Sequence, residues 1–297
     1  MAVPTAPTAT SIVTEALTRK LNGAPPISAD ITRASSYGLE KVKRDIMRIS
    51  RQWDPLRKEY YTIVTEGKSR YSLPGDCETI LSITLLDYTH EDAFSAITSK
   101  SSLTLDAAED LVEDDAEGHL LIIYGGTGEN QGAQIAHYSP TTKVVTLTND
   151  LISTPATAAS YLIADDYKLL NAHPSIRAEW ISQRFEKMKP SNYIVGPYSN
   201  TDDTQYFELV EVPDKTYGLK IVYHADLRRL DTATNLYDTI LRRWADIFEQ
   251  GVYTWALGED DNRYEREFQV YTKFLQDLKA RDGYMMDQIS IVRRIIQ

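Results

Sequence analysis

Tyr206-Phe207-Glu208-Leu209-Val210-Glu211-Val212, then Pro213-Asp214-Lys215-Thr216-Tyr217-Gly218, then Leu219-Lys220-Ile221-Val222-Tyr223-His224 is the stretch that decides the fold. It reads as two strands joined at a tight turn. Directly after it the chain changes period. Leu241, Trp244, Ile247, Phe248, Val252 and Trp255, then Tyr264, Phe268, Tyr271, Phe274, Leu275 and Leu278, recur at intervals of three and four, the spacing of helices that bury one face. Gly258 with Glu259-Asp260-Asp261 interrupts the run, which predicts two helices of about 18 to 22 residues, each roughly 30 Å long, rather than one rod. No nucleophile, base or metal cluster breaks the stripe, so this part of the chain is built to pack.

Upstream, Ser11 to Leu21 reads as a short helix with Ser11 as its N-cap and Asn22-Gly23 as its stop. A second helix follows. Leu39, Val42, Ile46, Ile49 and Trp53 form its apolar stripe, Lys41, Lys43, Arg44, Arg48 and Arg51 its other face, and Pro55 its end. Strands are expected at Tyr60 to Thr65 and Ile80 to Leu86, and an acidic helix at Leu103 to Ala116. Four short strands come next: Leu120 to Tyr124, Ala133 to Tyr138, Val144 to Thr148 and Tyr161 to Ala164. Their Gly-rich, Ser-Pro-Thr-Thr and Asn-Asp connections predict a small inserted barrel or sandwich. Ser175 to Met188 returns to helical spacing and stops at Pro190. The fold class is therefore α+β: a helical core with a small β-sheet, formed by residues 1–97 and 173–284, an inserted acidic all-β module at 98–172, and a tail at 285–297.

Charge is distributed unevenly over the 297 residues, whose net charge is −11. Between Thr98 and Asp166 there are eleven acidic residues and two basic ones, a net of −9. Such acidity argues against a protein that grips phosphates, because tight nucleic-acid binding needs a concentrated basic surface. The exception is Arg33 to Lys58, where eight Lys or Arg face three acids. Its basic helix suits DNA, an acidic partner surface or simply solvent. Nineteen tyrosines against six phenylalanines favour amphipathic contact surfaces, and equally sheet positions with a wet hydroxyl.

Cys77 is the only cysteine, so no intrachain disulfide and no cysteine-based zinc site is possible. The amino terminus has no basic start or apolar segment, and nothing later approaches the ~18 uninterrupted apolar residues of a membrane span. A soluble, cytosol-like compartment is expected. Gly125-Gly126-Thr127-Gly128 follows a strand but leads into another strand, with no Gly-Lys-Ser/Thr, so it reads as a wide turn rather than a phosphate loop. Glu113-Asp114-Asp115-Ala116-Glu117-Gly118 resembles the front of a calcium loop, but Tyr124 stands where the bidentate carboxylate belongs. The five histidines are scattered and no nucleophile elbow is present. No catalytic residue, cofactor or metal is expected. The last segment, Ile289-Ser290-Ile291-Val292-Arg293-Arg294-Ile295-Ile296, is apolar and β-prone, a pattern suited to adding a strand to a partner's sheet or to packing on its own subunit.

Five features, in order, carry a resemblance. They are the amino-terminal helix ending in Trp53, Arg70-Tyr71-Ser72-Leu73-Pro74-Gly75-Asp76, Trp180 before Pro190, Tyr206-Phe207-Glu208-Leu209 with Val212-Pro213-Asp214, and Trp244 to Leu257 followed by Tyr264 to Leu278. Over residues 36–97 and 175–281 the chain resembles the head-to-tail adaptor, or neck, proteins of tailed bacteriophages. Through Gly125-Gly126-Thr127-Gly128, Gln131 and Ala133-Gln134-Ile135, then Tyr138, Val144 to Thr148 and Tyr161-Leu162-Ile163, the insert is similar to small β modules of phage structural proteins, a module the more compact adaptors lack.

The resemblance implies a structural protein of the virion neck, made in the host cytoplasm and not an enzyme. It implies a ring of twelve copies beneath the portal, joining capsid to tail, with helices walling a channel that DNA merely passes through. Partners would be further copies of itself, the portal, the tail or nozzle and fibre proteins, and no membrane. By the same analogy the tail docks on the portal, with Ile289, Ile291, Val292, Ile295 and Ile296 as anchors and Arg293 and Arg294 meeting acidic groups. A ring needs two complementary patches per subunit. The acidic insert and the basic face of Lys41, Lys43, Arg44, Arg48 and Arg51 are candidates for them. The alternative is another virion binding module, such as a tail or fibre-attachment protein.

Overall fold

The structure, a computed structural model, describes residues 8–49, 54–107, 111, 116–172, 187–198, 205–229, 235–259 and 261–295, the stretch 281–295 as backbone alone. The fold is mixed α+β, with one large and one small sheet and no closed barrel among the described residues. Packing divides the chain into a helical unit, Met1–Arg57 with His224–Gln297, and a β unit, Lys58–Tyr223.

The helical unit begins with α1 (Ala9–Lys20). Its N-cap is Thr8 rather than Ser11. Thr8 Oγ1 accepts from the Ser11 amide at 3.1 Å while Ser11 Oγ accepts from the Thr8 amide at 2.8 Å, a reciprocal cap. Next, α2 (Ser28–Arg33), a π-helical turn (Ala34–Gly38) and α3 (Leu39–Ile49) follow one another without a break. Helix α4 (Asn235–Leu257) carries a non-helical residue at Trp244, φ −128° and ψ 26°, and ends at Gly258, whose φ of +74° suits a residue without Cβ. Helix α5 spans Tyr264–Ile295.

These helices share one core. Ile12, Val13, Ala16 and Leu17 of α1, Leu39, Val42, Ile46 and Met47 of α3, Ile247, Phe248 and Val252 of α4, and Tyr271, Leu275 and Leu278 of α5 are buried. Gly251 lets α3 and α5 close on α4: a Cβ there would lie 2.4 Å from Val42 Cγ2 and 2.8 Å from Tyr271 Cε2. The buried face of α5 is rotated from the one the spacing predicts. Glu267 is inside, whereas Phe268 is 43% exposed and stacks on Tyr264 with ring centres 5.7 Å apart.

The β unit is built from β1 (Arg57–Val64), β2 (Arg70–Ser72), β3 (Cys77–Ala93), β4 (Ala96–Ile97), β5 (Ser102–Thr104), β6 (Leu120–Gly125), β7 (Gln131–Ser139), β8 (Val144–Leu147), β9 (Ser160–Leu169), β10 (Asn171–Ala172), β11 (Asn192–Tyr198), β12 (Gln205–Leu209) and β13 (Tyr217–Ala225). The large sheet has the order β1-β13-β3-β9-β6-β7-β8-β5-β4, and the small one β10-β11-β12-β2. Two expectations are corrected here. The strands on either side of Pro213 do not pair as a hairpin, since β12 lies in the small sheet and β13 in the large one. Nor do the strands of 98–172 close into a barrel or sandwich of their own. β9 pairs with β3 from Thr84↔Leu169 to Ala93↔Ser160, so the insert extends the same sheet. Leu103, expected to open an acidic helix, is in β5, and most of the rest of that helix, like the one expected at Ser175 to Met188, falls outside the described residues.

At β6 and the first half of β9 the sheet is buried on both faces. Leu121, Ile123, Tyr161 and Ile163 join a core with Leu103, Ala133, Ile135, Tyr138 and Val145, whereas Leu120, Ile122, Leu162 and Ala164 join a second core with Tyr61 and Leu86. The β6–β9 register agrees, placing Leu121 opposite Ile163 and Ile122 opposite Leu162. These two strands are enclosed on both sides, which is why they read as continuous apolar runs rather than alternating ones.

Candidate interaction surface

Helix α3 sorts its residues by face. Leu39, Val42, Ile46 and Met47 point inward, and Tyr37, Lys41, Arg44 and Arg48 are exposed along one stripe, with Tyr37 on the preceding π turn. Lys43 departs from the expected basic face. It is 5% exposed, its ammonium 2.9 Å from Glu40 Oε1, because position 43 falls beside Val42 and Ile46 on the packed side. Arg48 lies 4.0 Å from Asp45, and among the described residues Lys41 and Arg44 have no carboxylate partner. Arg51 lies outside the described residues. Tyr and Arg together on a rigid helix are the side chains that dominate protein contacts.

A second polar feature joins α1, α4 and α5. The Arg19 guanidinium lies 4.2 Å from the centre of the Tyr253 ring, donates to Gln250 Oε1 at 2.9 Å and reaches Glu267 Oε2 at 3.1 Å. Gln250 Nε2 donates to the same carboxylate at 2.9 Å, and Arg266 grips its other oxygen at 2.6 Å. Burial raises the Glu267 pKa, but the hydrogen bonds from Gln250 and Arg266 and the charges of Arg19 and Arg266 outweigh that and hold the carboxyl below its usual range.

Beside this junction, Ser11, Thr14, Glu15, Thr18, Arg19, Gly23 and Glu249 line an open groove of about 650 Å³. Thr14 and Thr18 donate to the carbonyls of Thr10 and Thr14, so what they offer outward is acceptor capacity. Burial, then repulsion from Glu15, push the Glu249 carboxyl up. Arg19 offsets part of this and Asp246 adds to it. Sequence reading missed both junction and groove. The available signal was Glu267, a carboxylate four residues before Tyr271 on the stripe that also holds Leu275 and Leu278.

The carboxy-terminal expectation is corrected in conformation. Ile289, Ile291, Val292, Arg293, Arg294 and Ile295 continue helix α5 instead of forming an extended strand, since propagating a helix adds one hydrogen bond per residue. Ile296 lies outside the described residues. In the β unit, the 125–132 turn is held by Gly126 at φ +83°, Gly128 at φ +86° and Asn130 at φ +66°. A Cβ on Gly128 would meet Pro155 Cα at 2.9 Å, so packing accounts for this glycine. Residues 113–115 of the expected acidic loop at 113–118 are outside the described residues, and its Glu117 bonds His137 at 2.8 Å. Among the described residues no three acids, histidines or cysteines are grouped to hold a metal, and no helix is long and apolar enough to cross a membrane.

No protein-family model matches the chain, and no curated protein matches it either.

Proposed function

We propose that this chain is a virion structural subunit, a head-to-tail adaptor that assembles as a twelve-membered ring beneath the portal, connects capsid to tail and surrounds the DNA channel. The observation that carries the reading is the stripe Tyr37, Lys41, Arg44 and Arg48, where Lys41 and Arg44 have no carboxylate partner among the described residues. Exposed cations that have no carboxylate partner among the described residues, on a packed helix, are available to a surface outside the chain. The ordered sequence motifs support the same assignment, and the net charge of −11 lets DNA pass a ring without adhering to it.

The test is binding of the full chain to the portal ring encoded by the same genome, read by sedimentation and electron microscopy. A ring of adaptor density on one end of the portal is expected. Deleting residues 289–297 leaves the far-UV dichroism of a folded protein and abolishes that density. Absence of portal binding by the full chain refutes the adaptor reading, and unchanged binding by the truncated chain refutes the docking role of Ile289 to Ile296.

A further inference from the structure

We infer that neighbouring copies of this chain join head to tail through one charged contact, the cationic stripe Lys41, Arg44 and Arg48 of one copy entering the groove lined by Glu15 and Glu249 of the next, where the Asp246 charge acts on Glu249 from outside the lining. The inference rests on the ring reading and specifies the surfaces that close it.

A heterologous ring needs two different patches facing in different directions. Helix α4 supplies that arrangement. On one side Gly251 meets Val42 of α3, whose outer stripe carries the three cations, and on the other Glu249 lines the groove with Glu15 and Arg19 of α1. Positions 249 and 251 are about 200° apart round a helix, so stripe and groove lie on opposite sides of one rigid element.

The chemistry of the two surfaces is complementary. The Arg19 charge is already taken up by Glu267, Gln250 and Tyr253. What the groove presents beyond it is hydroxyl lone pairs and the carboxylates of Glu15 and Glu249; burial first, and then repulsion from Glu15, raises the Glu249 pKa. An incoming guanidinium or ammonium relieves that repulsion and meets the Thr14 and Thr18 hydroxyl oxygens and the Glu15 and Glu249 carboxylates, while Arg19 is held by its bonds to Gln250 and Glu267. The stripe in turn holds Lys41 and Arg44 without carboxylate partners among the described residues. The contact differs from a pairing of the basic helix with the acidic insert, because stripe and groove both belong to the helical unit.

The test uses full-length protein with exposed residues only, so that folding is preserved and verified by dichroism. One variant carries Lys41→Glu with Arg44→Glu, a second Glu15→Lys with Asp246→Lys, and a third all four changes. Occupancy of portal rings is measured against protein concentration. Each reversal pair alone weakens ring formation by about tenfold or more, and the combined variant recovers to within about twofold of the wild type. Wild-type rings that are indifferent to the reversals, or a combined variant no better than the single ones, overturn the contact and leave the ring reading standing. Wild-type protein that forms no ring on the portal overturns both. Loss of duplex DNA retention by Lys41→Glu with Arg44→Glu, with ring formation intact, assigns the stripe to DNA and also overturns the contact.

Discussion

Replacing Glu267 by alanine measures how firmly the polar junction ties the helical unit together. The residue is 3% exposed and receives hydrogen bonds from Gln250, Arg19 and Arg266. Breaking a fully buried ion pair from one side costs about 3–5 kcal/mol. Here both arginine side chains keep access to water, at 44% and 77% exposure, so each ion pair counts as a surface pair of under about 1 kcal/mol. The buried Gln250 amide loses a charge-assisted bond of about 1.5 kcal/mol but keeps the Glu267 carbonyl at 3.2 Å. The sum is a loss of about 2–3 kcal/mol. In urea, followed by tryptophan fluorescence, the transition of the helical unit shifts down by about 1 M at a slope of ~2 kcal/mol/M. Acid supplies a second reading. The folded Glu267 carboxyl titrates below its unfolded value, so its contribution is complete above about pH 5 and disappears as pH falls through the folded pKa. The stability gap between wild type and Glu267→Gln therefore narrows as the pH falls below about 5. An alanine variant within about 0.5 kcal/mol of the wild type, or a gap that widens in acid, refutes the gripped-carboxylate account.

Two further outcomes follow from the packing. Gly251→Ala places a Cβ 2.4 Å from Val42 Cγ2 and lowers stability by about 1–3 kcal/mol despite the better helix propensity of alanine, as checked by urea titration. The Cys77 thiol is buried, and burial followed by the Asp76 and Glu78 charges pushes its pKa up to about 12. Below that pH it stays protonated and inert, so at about pH 8 the native protein releases no colour with a disulfide reagent and one thiol per chain titrates after unfolding. Prompt native reaction contradicts the burial.

The parts of this fold that were legible in the sequence are those governed by local pattern. The period of α4 and α5, the stop at Gly258 and the strands β6, β7, β8 and β9 all follow from spacing and turn residues. The remainder depended on partners far along the chain. Nothing near Pro213 says that β12 and β13 enter different sheets, because adjacent runs with a turn between them fit a hairpin equally well. The barrel expectation arose because four short strands with regular turns look self-contained, whereas Ser160 to Leu169 finds its partner in Cys77 to Ala93.

The candidate surface was half legible. Charge alone grouped Lys43 with Lys41, Arg44 and Arg48, but helical geometry puts it on the packed side. The β-branched residues at 289–295 pointed to a strand, and continuation of α5 overrode that local preference. The groove joins Glu15 and Glu249, residues from opposite ends of the chain, and only folding brings them together.

The most direct test of the adaptor account is the position of this chain in an image of the intact virus particle at side-chain detail. The account predicts a closed ring of copies between portal and tail, with Lys41, Arg44 and Arg48 of each copy against Glu15 and Glu249 of its neighbour. Finding the chain as separate copies on a fibre or elsewhere on the particle, with no ring at the portal, would contradict it.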